Sequence, residues 1–121
     1  MGERRRTGVL GEELACEALS RRGYRIIERG WRCPLGEVDV VARDGECWVF
    51  VEVKTRRGRG AGAPEEALTP RKAQRLTELA QTYLAERALG PVDWRIDLVA
   101  IELDPLDRVQ RLSVTPAVIA E

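Results

Sequence analysis

The chain has 121 residues, enough for one hydrophobic core and one domain. Twenty basic and twenty acidic residues cancel, and no histidine is present, which excludes His-based acid–base catalysis, Ser-His triads and His-ligated zinc. Cys16, Cys33 and Cys47 lack metal-ligand spacing and suit reduced thiols. The N-terminal MGERRRTGVLGEE has no export-type apolar run, so a soluble, cytoplasmic protein without a membrane span is expected.

In chain order, residues 1–7 read as a flexible basic arm. Helical periodicity starts near Gly8, where Leu10, Leu14, Ala15, Ala18 and Leu19 form one stripe and Gly23 is placed as a C-terminal cap. Glu12 falls at the margin of that stripe and should be only partly exposed. Tyr24–Arg32 reads as a first strand, and Gly36–Thr55 as a hairpin turning at Asp44-Gly45. Residues 56–63, RRGRGAGA, have the composition of a mobile loop.

A second helix follows, with Thr69 as N-cap, Pro70 at its first position and Gly90-Pro91 at its end. Val92–Leu103 is a strong strand, on which Arg95 and Asp97 share a face as a candidate ion pair. Val109–Val114 is a weaker strand after the Asp104-Pro105 turn. The predicted fold is α/β, in the order α-β-β-β-α-β-β, with a mixed sheet flanked by helices in one domain over residues 1–121.

The hairpin carries the chemistry. With Asp44-Gly45 as its loop, Val41 faces Trp48, Asp39 faces Phe50 and Glu37 faces Glu52. Alternation then puts Val38, Val40, Ala42, Val49, Val51 and Val53 on one face. Glu37, Asp39, Val41, Trp48, Phe50, Glu52 and Lys54 occupy the other, with Asp39 and Glu52 as diagonal neighbours. Trp48 and Phe50 read as core under a helix. Eighteen of the twenty basic residues are Arg, so a lysine at position 54 stands out: an ammonium is a compact point charge, a guanidinium a planar fork.

Asp39, followed after twelve residues by Glu52-Val53-Lys54, resembles the PD-(D/E)XK nuclease core, with Val38 where the superfamily name has proline. The strings Gly11-Glu12, Gly36-Glu37-Val38-Asp39, Phe50-Val51-Glu52-Val53-Lys54-Thr55-Arg56, Arg71-Lys72 and Arg95-Ile96-Asp97-Leu98-Val99 resemble the bacterial YraN family, which is similar to archaeal Holliday-junction resolvases. The resemblance implies a restriction-endonuclease-like α-β-β-β-α-β core and a metal-dependent endonuclease acting on DNA, including branched or recombination intermediates. It also implies Asp39 and Glu52 as Mg²⁺ or Mn²⁺ ligands, the Val53 carbonyl as a third and Glu12 as a further carboxylate. A homodimer is suggested by the resolvase likeness.

The chemistry is coherent with those residues. A hard divalent ion takes one or two carboxylates and leaves positions open to water and phosphate, while a lysine polarises water or neutralises developing charge. Arg56, Arg57 and Arg59 are placed to contact phosphates, with Lys72 and Arg75 on the second helix as further nucleic-acid contacts. Each charge also has a plainer reading. Asp39, Glu52 and Lys54 would also make a solvated cross-strand ion cluster, and Glu12 would complement its helix dipole. The alternative function is a non-catalytic nucleic-acid-binding module on a nuclease fold.

Overall fold

The computed structural model describes residues 3–58 and 68–120. Seven elements follow in order: α1 (Glu3–Arg21), β1 (Arg25–Cys33), β2 (Gly36–Asp44), β3 (Cys47–Arg57), α2 (Pro70–Glu86), β4 (Trp94–Leu103) and β5 (Val109–Ala120). The strands form one sheet in the order β1-β2-β3-β4-β5. Only the β3–β4 pair is parallel, and it is joined by the crossover through α2. This is the mixed α/β sheet that the pattern of the chain predicts.

Each face of the sheet buries one helix. On β3, Val49 and Val51 pack with Ala15 and Leu19 of α1, while Trp48 and Phe50 pack with Leu76, Leu79, Ala80 and Tyr83 of α2. The same alternation continues on β4, where Val99 and Ile101 face α1, and Trp94 and Ile96 face α2. Trp31 meets the Tyr83 ring edge-on at 5.2 Å, and Phe50 does so at 5.5 Å. Among the described residues, no helix is long and apolar enough to cross a membrane.

The helix ends follow their sequence signals in part. Gly23 adopts φ +90°, and the Tyr24 and Gly23 amides donate to the Leu19 and Ser20 carbonyls, a Schellman closure of α1. Thr69 caps α2, its side chain accepting the Lys72 N–H, with Pro70 opening the helix. Three boundaries differ from expectation. α1 runs back to Glu3, so the arginine-rich start is helical. α2 stops at Glu86, before Gly90-Pro91, because Ala88 turns left-handed. β3 carries on through Arg57, held by its parallel partner, where a loop was expected from residue 56.

The hairpin register also differs. Asp44 pairs with Cys47 and Val41 with Phe50, so the two-residue loop is Gly45-Glu46 and not Asp44-Gly45. Gly45 takes φ +60° and Glu46 does not turn positive, which is the pattern of a turn with glycine in its first central position. The pairing moves by two residues, an even shift, so β3 keeps its predicted faces.

Candidate functional site

β2 leaves β3 at Asp39. Their ladder runs from Asp44↔Cys47 to Val40↔Val51 and ends there, whereas β3 stays paired with β4 as far as Arg57↔Leu103. Val40 packs on the α1 face and Val38 on the α2 face, so strict alternation in β2 fails between them. Here the one-face assignment of Val38 and Val40 is corrected: the strand turns where it loses its partner. Asp39 fills the opening, and its Oδ2 accepts the Val53 N–H at 2.8 Å. A side-chain carboxylate thus satisfies a backbone donor on the edge that β2 has vacated.

Burial pushes the Asp39 carboxyl up to about 7, the negative charge of Glu52 adds to the rise, and the Val53 N–H opposes it. Glu52 is also raised, first by burial, with Lys54 and Lys72 pulling it down. Glu12 is raised by burial and then by Asp39, so the α1 carboxylate shares the same field. Lys54 lies below the usual ammonium range, first through the hydrogen-bonding approach of Lys72 and then through burial. The Asp39, Glu52, Lys54 and Glu12 side chains are therefore electrostatic neighbours.

Two clefts flank this cluster. One, of about 620 Å³, lies between α1 and the end of β3 and is lined by Thr7, Gly8, Glu12, Asp39, Val53, Lys54, Thr55 and Arg57. The other, of about 340 Å³, lies under the start of α2 and is lined by Gly36, Glu37, Glu52, Arg71, Lys72, Arg75, Leu76 and Leu79. Asp39 and Glu52 line different clefts, one on either side of the opening.

The basic residues sort unevenly. Arg57 lines the larger cleft and is salt-bridged to Asp107 in the β4–β5 turn. Arg56 pairs in register with Glu102 of β4. Lys72 and Arg75 line the smaller cleft, and Arg75 donates to the Leu35 carbonyl at 2.9 Å, tying α2 to the β1–β2 turn. Arg59 lies outside the described residues. Sequence reasoning passed over Thr7, Gly8, Thr55 and, as a site residue, Arg71. Thr7 went unseen because residues 1–7 were read as an arm and not as helix.

Residues 11–101 match the family model described as "Uncharacterised protein family UPF0102". The chain belongs to UPF0102, the YraN family. Among its UPF0102 relatives, the protein of Moorella thermoacetica is 48% identical over 92% of this chain and 92% of its own length. That of Symbiobacterium thermophilum is 49% identical over 88% and 90%, and that of Acidothermus cellulolyticus 50% over 78% and 79%. The UPF0102 segment runs from the middle of α1 to β4 and spans Glu12, Asp39, Glu52, Lys54 and Lys72.

Among the described residues, no three Asp, Glu or Cys side chains are grouped as a ready metal cluster. The donor set is smaller: two neighbouring carboxylates, one open to each cleft, with Glu12 on the Asp39 side. That set fits Mg²⁺ or Mn²⁺, which are held by one or two carboxylates with waters and phosphate oxygens completing the shell. The raised Asp39 carboxyl fits too, since a cation would relieve the repulsion between it and Glu52.

Proposed function

We propose that this UPF0102 protein is a metal-dependent endonuclease that hydrolyses phosphodiester bonds in DNA, branched forms included. The observation that carries the reading is the Asp39–Glu52 pair, two neighbouring carboxylates that burial holds above their ordinary range where β2 parts from β3, the charge of Glu52 raising Asp39 further, with Lys54 beside them. Carboxylates in that state are costly for a purely structural cluster and suited to a cation.

Asp39 and Glu52 would hold Mg²⁺ or Mn²⁺, with the Val53 carbonyl as a further oxygen donor. When bound, the ion would neutralise charge on the phosphoryl oxygens and acidify a water. Asp39 is held in place by the Val53 N–H, which engages one of its two oxygens, Oδ2. Lys54 Nζ donates to the attacking water or to a phosphoryl oxygen and balances the charge that develops there. Glu12 adds a third carboxylate from α1, and Arg56 and Arg57 meet neighbouring phosphates at the end of β3.

The test is incubation of labelled four-way and linear DNA with wild type, Asp39→Asn and Lys54→Ala, with Mg²⁺ and with EDTA. Metal-dependent cleavage that both substitutions abolish supports the reading. Salt-sensitive DNA binding without cleavage would replace it with a non-catalytic binding module.

A further inference from the structure

Eighteen of the twenty basic residues are Arg, and the two lysines flank one carboxylate, Glu52: Lys54 stands two positions further along β3, on the same face by alternation, and Lys72 lies in the first turn of α2. Lys72 and Glu52 line the same cleft. The position of Lys72 is fixed by its surroundings. Its N–H donates to the Thr69 cap at 3.2 Å, Pro70 presets the first turn, and Arg75, less than a turn further on, is anchored on Leu35 at 2.9 Å.

Arg71, Lys72 and Arg75 share this cleft with Glu37 and Glu52, three cations to two carboxylates, which leaves a surplus positive charge. Like charges gathered in one cleft are unfavourable unless a further anion joins them. Arginine, the cation this chain uses elsewhere, would place a broad fork in that space; lysine offers three donors around a point and leaves room for a tetrahedral anion. Arg71 on the same turn lines the cleft as well and extends its positive rim.

Resting on the nuclease reading, we infer that Lys72 is a second lysine of the reaction centre, which together with Lys54 binds the non-bridging oxygens of the phosphate drawn to the Asp39–Glu52 pair. The centre is thus assembled from two elements, β3 and the capped start of α2. Lys72 acts on the reacting phosphate and not on a distant part of the strand.

The experiment compares wild type, Lys72→Gln, Lys72→Arg and Arg71→Gln by Mn²⁺ titration, DNA cleavage kinetics and thermal melting. Lys72→Gln is expected to lower kcat about tenfold or more with KM changed by about twofold, and Lys72→Arg should not restore it. Mn²⁺ should bind Lys72→Gln about two- to fivefold more tightly, because a cation beside Glu52 is gone, an effect that loss of structure would reverse. Arg71→Gln should raise KM alone. A Lys72→Gln enzyme with full kcat, a fully active Lys72→Arg, or weaker Mn²⁺ binding would overturn the inference. Wild type that binds no Mn²⁺ and cleaves nothing would overturn the nuclease reading itself. If it binds Mn²⁺ without cleaving, the affinity change in Lys72→Gln still decides.

Discussion

A methyl group on Gly11 would lie 2.0 Å from the hydroxyl oxygen of Thr55, so α1 and β3 touch where only glycine fits. Thr55 follows Lys54 on β3, and Glu12 follows Gly11 on α1; the contact therefore sets how far Glu12 stands from Asp39. Gly11→Ala must push α1 outward. The expected cost is about 1–3 kcal/mol in urea denaturation, together with weaker Mn²⁺ binding. Gly11→Ala with Thr55→Ser keeps the hydroxyl clash and should not recover either, whereas Gly11→Ala with Thr55→Gly should recover part of both.

The Asp39 carboxyl makes stability depend on pH. Burial, reinforced by Glu52, holds it at about 7 in the folded chain, whereas an unfolded Asp titrates near about 4. Between those values the folded state keeps a proton that the unfolded state has lost. Stability therefore falls as pH rises through that window, and the penalty is complete above it. Asp39→Asn retains the oxygen that accepts the Val53 N–H and removes the charge. In EDTA at about pH 8 the variant should exceed wild type by about 1–2 kcal/mol, with the gain vanishing near about pH 4. Added Mg²⁺ should stabilise wild type and leave Asp39→Asn unchanged.

Asp97 tests the frame beside the site, since it pairs in register with Val51, the neighbour of Glu52 on β3. It is fully buried and accepts the Tyr24 hydroxyl at 2.9 Å, Arg95 Nε at 3.0 Å and the Ala117 N–H at 2.8 Å. One side chain thus ties the start of β1, strand β4 and β5 together. Asp97→Ala takes the acceptor from the Tyr24 hydroxyl and the Ala117 N–H and one of two carboxylates from Arg95, whose Asp44 salt bridge at 2.9 Å remains. It should cost about 2–4 kcal/mol in urea denaturation. A loss below about 1 kcal/mol would mean that water replaces the carboxylate freely.

The β2–β3 turn separates the predicted register from the observed one. If Gly45-Glu46 is the loop, Gly45→Ala meets φ +60° and should cost about 1–3 kcal/mol. Asp44→Ala, on a paired strand residue, should cost less than about 1 kcal/mol. Thermal melts of the two variants, with the order reversed, would restore Asp44-Gly45 as the loop.

Much of this was legible in the chain. Thr69-Pro70 and Gly23 carry local chemistry that fixes a helix start and a helix end wherever they occur, and Val49 and Val51 alternate with Trp48 and Phe50 on a strand sandwiched by two helices. The Arg95–Asp97 pair follows from two charges on one strand face, and it forms at 3.0 Å. The parting of β2 from β3 was not legible, because alternation assumes a partner at every step and Asp39 is where the partner is lost. Nor was the meeting of Lys54 with Lys72, which depends on how the crossover lays α2 across the sheet. The turn was misjudged because Asp-Gly and Gly-Glu both satisfy hairpin geometry, and long-range pairing chooses between them.

The most direct test of the account is calorimetric Mn²⁺ titration of wild type beside Asp39→Asn/Glu52→Gln, followed by incubation of both with labelled four-way and linear DNA. The account predicts saturable binding by wild type, none by the double variant, and cleavage of DNA only where Mn²⁺ is bound. Equal binding in both proteins, or a folded wild type that takes up no ion and leaves DNA intact, would contradict it and leave Asp39 and Glu52 as structural charges.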